Sequence, residues 1–441
     1  MASPETVSTR LPAAPGVQTS VDGAKEAPYA EEFPAKRAPF AALRHRDFRL
    51  MWAGNFVSQA GSMMSMMAMS VQIWDLTHDP AAVGLRGVFK LVPVLFLSLY
   101  GGVIADAIDR RRLLMLTQTI MAISVFVLAF ATQFGWASVR LIYGLTMLSG
   151  VAVAFDNPAR SALIPNLVPR RDLPNALSLN IIMWQIATII GPMLGGLFLP
   201  LRTTGFALIY WIDALSFTAV LIALFFLRTR PQKAETRDVS LKAAFEGLRF
   251  LRRTPIIMST MTLDFFATLL GAATVLLPAI AEQVLRIDRH LWGILYAAPA
   301  IGAVVAGVAM SWLGNVRRQG LIVILSVAAY GLATIVFGVS EYFWLTVLAL
   351  AGTGAADTVS MVMRQTIRQL STPDELRGRM TSVNMVFYMG GPQLGELEAG
   401  LLAKLLGLGP SIMFGGVAVI AITAMVGFLS PALRNYDRDT S

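Results

Sequence analysis

Cysteine is absent from this 441-residue chain, histidine occurs three times, and charged residues make up only 14%. Without cysteine there is no disulfide framework, thiolate nucleophile or thiolate metal site. His45, His78 and His290 fall in separate loop stretches, which argues against a metal centre and against a histidine proton relay. Soluble domains carry about 25% charged residues, so a chain this poor in charge is hard to keep in water. No Walker-type phosphate loop occurs, so direct ATP coupling is not expected. No clustered ligands and no nucleophile with a nearby base are visible, so the chain is not expected to be an enzyme or to hold a cofactor.

What is abundant is apolar sequence: 55% of residues are hydrophobic and the mean hydropathy is +0.62. The net charge of +9 does not form a nucleic-acid patch. It is spread in short clusters between apolar runs, the positive-inside pattern of a membrane protein. Twelve apolar segments between Phe48 and Leu429 each approach the roughly 20 residues a span requires. In lipid each must satisfy its own backbone, so all are expected to be helices. Arg44, Arg46, Arg110 to Arg112, Arg170, Arg171, Arg252, Arg253, Arg317, Arg318, Arg377 and Arg379 fall on one side. Arg140, Arg202, Arg286, Arg289 and Lys404 fall on the other. This asymmetry places both termini in the cytoplasm of a cell inner (plasma) membrane protein.

Residues 1–42 are rich in Ala, Pro, Glu and Ser and read as a disordered cytoplasmic tail without a signal-peptide core. Residues 43–227 form a first group of six spans, 228–255 a cytoplasmic linker, 256–431 a second group of six, and 432–441 a cytoplasmic tail. In the linker, Leu241, Ala244, Phe245, Leu248 and Leu251 share one helical face, as for an amphipathic helix on the inner leaflet. A solvated linker helix is the other reading. The two groups also repeat: Ala159-Arg160, Pro169, Asn180, Gly191-Pro192 and Gly195 recur as Met363-Arg364, Pro373, Asn384, Gly391-Pro392 and Gly395. Repeats of six spans belong to a transporter architecture with its binding site between them at mid-membrane.

Two stretches carry a family resemblance. Gly102-Val-Ile-Ala-Asp106-Ala-Ile-Asp-Arg110-Arg-Arg112 resembles the major facilitator superfamily's hinge between helices 2 and 3. Phe155-Asp-Asn-Pro-Ala-Arg160-Ser-Ala-Leu-Ile-Pro165-Asn-Leu-Val-Pro169 is similar to the helix 4–5 link of its enterobactin-exporter-like and macrolide-efflux-like branch. The resemblance implies an all-α membrane protein of twelve transmembrane helices in two six-helix, pseudo-symmetric halves. It implies a monomeric secondary transporter in the lipid bilayer, exchanging a small-molecule substrate for protons. It also implies a cytoplasmic gate of Gly102, Asp106, Arg110, Arg111 and Asp156. There Asp106 would meet the start of helix 11, and Arg110 would pair with Asp156 when the site opens outward. The sequence departs from the motif at Ala107 and Asp109, and Gly150 stands where proton-coupled relatives often carry arginine.

Charge within a span costs several kcal/mol unless it is paired or hydrated. Lys90 in helix 2, with Glu396 and Glu398 at similar depth in helix 11, suggests a periplasmic gate pair; glutamates facing water independently is the alternative. Arg86, nearer the boundary, reads as a snorkelling side chain. Asp264 and Asp357 are candidates for coupling or cation binding, or are carboxylates capped by hydroxyls such as Thr262 or Thr358. Asn55 and Gln59, followed by the methionine-dense run Met63 to Met69, suggest a substrate-facing wall on helix 1, although lipid-facing or core packing is the more common reason for methionines. Asp213 reads as structural. The expected function is proton-coupled efflux of amphipathic organic molecules, drug or siderophore-like, by alternating access. A lysophospholipid or metabolite transporter of the same fold without proton antiport is the alternative.

Overall fold

A computed structural model describes residues 40–228, 249, 251, 254–313, 317–373 and 377–437; at 98–107, 377–379, 381–383 and 385–386 it describes backbone alone. Every long element among the described residues is a helix. They are α1 (Arg46–Thr77), α2 (Pro80–Ala107), α3 (Arg110–Gln133), α4 (Val139–Leu167), α5 (Leu173–Phe198) and α6 (Thr203–Phe225), then α7 (Pro255–Leu270), α8 (Trp292–Leu313), α9 (Gln319–Val339), α10 (Phe343–Ser371), α11 (Arg377–Leu406) and α12 (Leu408–Leu429). Ten of the helical stretches are long and apolar enough to cross a membrane. The other two long helices are α1, with its Asn, Gln and Ser, and α11, with its Gln and Glu residues. The chain is a multi-pass membrane protein, with large apolar side chains such as Phe96, Trp312 and Phe428 exposed.

The packing carries the sequence repeat into three dimensions. In the first set, α1 packs on α5 and α6, α2 on α4, and α3 on α4 and α6. In the second, α7 packs on α11 and α12, α8 on α10, and α9 on α10 and α12. Adding six to each index turns one pattern into the other. The two sets meet along α2 with α11 and α5 with α8, and this pairing obeys the same rule. Most helices join through turns of a few residues, as adjacent helices of a compact bundle do.

Local chemistry explains several boundaries. Asp109, one of the two residues that depart from the hinge motif, caps α3: its Oδ1 accepts the Arg111 N–H at 2.9 Å. The Arg111 guanidinium donates in turn to the Phe225 and Leu227 carbonyls, at 2.5 and 3.2 Å, satisfying orphan groups at the end of α6. α7 ends at Gly271 and continues as short turns over Ala273–Leu276, Leu277–Ala279 and Ile280–Val284. Tyr330 of α9 bridges the break by donating to the Gly271 carbonyl at 2.8 Å.

The described residues at the inner edges of both expected tails are packed against the bundle. Ala41–Arg44 form a turn in which Ala42 is buried and its N–H donates to Asn175 Oδ1 at 3.0 Å. At the other end, Pro431–Arg434 form a short helix with Leu433 fully buried against the α9 end, and Gly320 donates to the Tyr436 carbonyl. The face expected of the linker helix lies outside the described residues except for Leu251, which is buried on Ile257, Met261 and Met380.

The contact between α2 and α11 depends on glycine. A Cβ on Gly84 would lie 2.2 Å from the Glu396 carbonyl oxygen, and one on Gly87 would lie 2.8 Å from Glu396 Oε2. Backbone atoms cannot yield as a flexible side chain can, so a larger residue must separate the helices. Gly84→Val is therefore expected to open this end of the molecule. Spin labels at Leu76 and Leu405 should show a longer distance in the variant, and an unchanged distance distribution would contradict the packing argument.

Candidate functional site

Two arginines organise the polar interior, one in each set. Arg160 of α4 donates to Asp156 Oδ2 from Nε and Nη2, at 3.0 and 2.9 Å, and also to Asn55 Oδ1 of α1. Thr117 and Gln118 of α3 donate to the other Asp156 oxygen at 2.8 and 2.7 Å. One carboxylate thus ties α3 and α4, and its arginine carries the network to α1. Arg364 of α10 sits at the corresponding place in the second set. Its guanidinium contacts Asp264 of α7 at 2.7 Å and Asp357 of its own helix at 3.5 Å. One turn further along, Arg368 donates to Asn384 of α11.

The candidates Asp264 and Asp357 therefore come together, but on Arg364 rather than on the hydroxyls expected as caps. Asp264 is the more enclosed; Asp357 is about half exposed. Asn55 is buried in the Arg160 network, whereas Gln59, one turn on, is partly exposed and makes no hydrogen bond among the described residues. Asp213 is buried and accepts from Ser62 and Ser216 at 3.3 Å, which ties α6 to α1. Met64 and Met67 are buried against Gly195 of α5, so this part of the methionine run is packing.

The hinge residues divide. The Gly102 and Asp106 side-chain positions lie outside the described residues, so the expected contact of Asp106 with α11 does too. Arg110 donates to the Ala162 carbonyl at 2.9 Å, while Asp156 is held by Arg160, Thr117 and Gln118. The pair expected between Arg110 and Asp156 for an outward-open molecule is not formed in this conformation.

At the other end the two sets are fastened together. Asp75 of α1 receives a two-pronged contact from Arg289, just before α8, at 2.6 and 2.9 Å. Lys404 of α11 reaches Asp79, just before α2, at 2.6 Å. Trp74 donates to Glu282. Deeper, Arg86 of α2 faces Glu396 of α11 at 3.6 Å. The cation within ion-pair distance of Glu396 is the buried Arg86, while Lys90, expected as its partner, is within electrostatic range of it only. Burial of Arg86 also rules out the snorkelling expected of it. Lys90 makes no hydrogen bond or ion pair among the described residues, and neither does Glu398. The polar contacts described near the Arg110 end each stay within one set.

Gly150 has a packing reason. Its Cβ would lie 2.7 Å from the Pro93 ring and 2.9 Å from the Lys90 carbonyl. With α2 this close to α4 there is no room for an arginine. The cavity of about 180 Å³ beside the α7 break is lined by Thr268, Tyr330, Thr334, Phe337, Pro392 and Glu396, among others.

Arg364 and Asp264 are a partly buried pair, and loss of one partner leaves an uncompensated charge costing about 3–5 kcal/mol. Asp264→Asn and Arg364→Gln should each lower stability by about that much, and the double variant by clearly less than the sum. Denaturation in micelles measures the cycle; additive losses would show that the two side chains do not act as a pair.

Comparison with known proteins agrees with this architecture. The family model described as transmembrane secretion effector matches residues 37–441. The enterobactin exporter EntS of Escherichia coli strain K12 is 28% identical over 392 residues, covering 89% of this chain and 94% of its own. Among solved structures, the nucleoside transporter NupG superposes with a TM-score of 0.71 at 14% identity, covering 89% of this chain and all of that one. A bacterial homologue of the iron transporter ferroportin, in an inward-facing state, gives 0.68 at 15% identity over 89% and 99%. A bacterial homologue of the lysosomal transporter Spinster, also inward-facing, gives 0.67 at 14% over 88% and 96%. The chain belongs to the transmembrane secretion effector family, and it is a transporter of the major facilitator type.

Proposed function

We propose that the chain is a secondary exporter of amphipathic organic molecules, driven by proton entry. Two six-helix halves of twelve spans, α1–α6 and α7–α12, rock about a central site. The observation that carries this reading is the one-sided fastening. Ion pairs between the sets cluster at the Asp75 end, through Arg289, Lys404 and Arg86. Among the described residues, those near the Arg110 end stay within one set, inside α4 or between α7 and α10. A molecule latched at one end of its interface is closed on that side, as one of the two states of alternating access requires. Similarity to an exporter supports the outward direction.

The orientation proposed puts both termini and the Arg110 end in the cytoplasm and the Asp75 end outside, in the cell inner membrane. Arg289 and Lys404 are two of the five basic residues assigned to the outer side, and both are occupied by acids there. Exceptions to the positive-inside bias thus have a structural use. In this frame the molecule is closed on its outer side. Asp264 is the first candidate for the coupling acid and Asp357 the second, because protonation of either changes how Arg364 is neutralised. A monomer suffices, since both halves lie in one chain.

Cysteine-free sequence makes the orientation testable. A cysteine replacing the exposed Arg140 should react with an impermeant maleimide added to intact cells, and one replacing the exposed Arg171 should not. The reverse pattern would invert the topology. For coupling, Asp264→Asn should abolish transport driven by a proton gradient in proteoliposomes while leaving downhill exchange. Full proton-driven transport by both Asp264→Asn and Asp357→Asn would exclude this pair of carboxylates.

A further inference from the structure

The latch between α2 and α11 has an imbalance of charge. Arg86 and Lys90 lie one turn apart on α2 and so share a face. Both are within electrostatic range of Glu396. Glu398, two residues further along α11, points about 200° away from Glu396. Two cations thus face one acid, and Lys90 has no ionic or hydrogen-bonded partner among the described residues. A lone charge at this depth of a membrane is costly and marks a substrate or ion pathway.

The polar atoms around it are unfilled as well. Arg86 is 8% exposed, and its Nε has no hydrogen-bond acceptor. Its closest approach to Glu396, 3.6 Å, is an ionic contact without a hydrogen bond. The buried Tyr296 hydroxyl of α8 lies within range of both Arg86 and Glu396. Arg86 Nε and Glu396 Oε2 thus face each other as an unfilled donor and an unfilled acceptor, and Lys90 adds a surplus positive charge. Buried polar groups in native proteins are rarely left so.

We propose that this seam is an anion-binding site, in which Lys90 and Arg86 receive the carboxylate of an amphipathic cargo. The inference rests on the transport reading and adds the cargo's charge to it. Glu396 is then a competitor as well as a latch: it holds Arg86 when the site is empty and yields it to the incoming carboxylate. An anion bound between α2 and the second half would replace part of the inter-half attraction with its own contacts. Occupancy and opening of the Asp75 end are linked in this way.

The test is equilibrium binding to the full-length protein in nanodiscs, which needs neither transport nor a proton gradient. The probes are 2-naphthoate and its uncharged counterpart 2-naphthalenemethanol, followed by calorimetry. Wild type should bind 2-naphthoate about tenfold or more tightly than the alcohol, the scale expected of charge-assisted hydrogen bonds. Lys90→Gln should remove that preference without changing the alcohol's affinity, and Lys90→Arg should keep it. Glu396→Gln should strengthen 2-naphthoate binding several-fold, a sign that a merely structural role would not produce. No binding of 2-naphthoate to wild type, equal affinity for the two probes, or weaker binding in Glu396→Gln would each overturn the proposal. An intact preference in Lys90→Gln would do the same, provided its melting temperature matches wild type. A protein that binds as expected but fails to transport in proteoliposomes would instead refute the exporter reading and leave the site standing.

Discussion

A charged side chain within a bilayer must be answered by something close to it, and the interior of this protein is arranged around that requirement. Arg160, Arg364 and Arg86 each face a carboxylate within 4 Å. Where the carboxylate sits decides what the pair does. Asp156 lies on the same helix as Arg160, so their attraction stiffens α4 and recruits α1 and α3 through neutral groups. Asp264 lies on a different helix from Arg364, so their attraction holds α7 to α10. Glu396 lies in a different set of helices from Arg86, and that attraction holds the two sets together.

Small residues make these meetings possible. Without lipid-excluded apolar gain between helices, close van der Waals packing is the main attraction, and it needs backbones that approach closely. Gly84 and Gly87 bring α2 to α11 at the level of Arg86 and Glu396, and Gly150 brings α4 to α2 at the level of Lys90. The ionic contacts are therefore placed by glycines on the facing helices. The same closeness excludes an arginine at position 150 and leaves Lys90 as the deepest cation of that face.

Much of this was legible in the sequence, because hydropathy and the spacing of the Gly-Pro repeats survive directly in the fold. The helices, the repeat and the importance of charge in helices 2, 7, 10 and 11 all follow from periodicity and the cost of burial. Partner choice did not follow. Lys90 and Arg86 are four residues apart, and sequence fixes their common face but not which one lies opposite Glu396. Arg160 and Arg364 were visible as members of the repeat, yet as apparent loop-edge residues they gave no sign of being the hubs for Asp156 and Asp264. Asp75, Asp79 and Glu282 looked like ordinary connection residues; only the docking of α1 and α2 against the α8 and α11 ends gives them partners.

The two arginine sites also differ in a way that bears on motion. Four residues before Arg160 stands Asp156; four residues before Arg364 stands Ser360, fully buried with its hydroxyl unpartnered. Opposite, Asn55 on α1 is answered by Asp264 on α7. The nearer acid of the second arginine thus lies on the opposite helix, while Asp357 of α10 itself stays 3.5 Å away. In the first set a shift of α1 relative to α4 breaks a hydrogen bond to a neutral amide, while Arg160 keeps its carboxylate. In the second set the same shift of α7 relative to α10 separates a charge pair, and α7 is the helix interrupted after Gly271. Movement of α7 therefore changes the electrostatic energy of the interior, whereas movement of α1 changes it little. A proton taken up by Asp264 would weaken that restraint between α7 and α10.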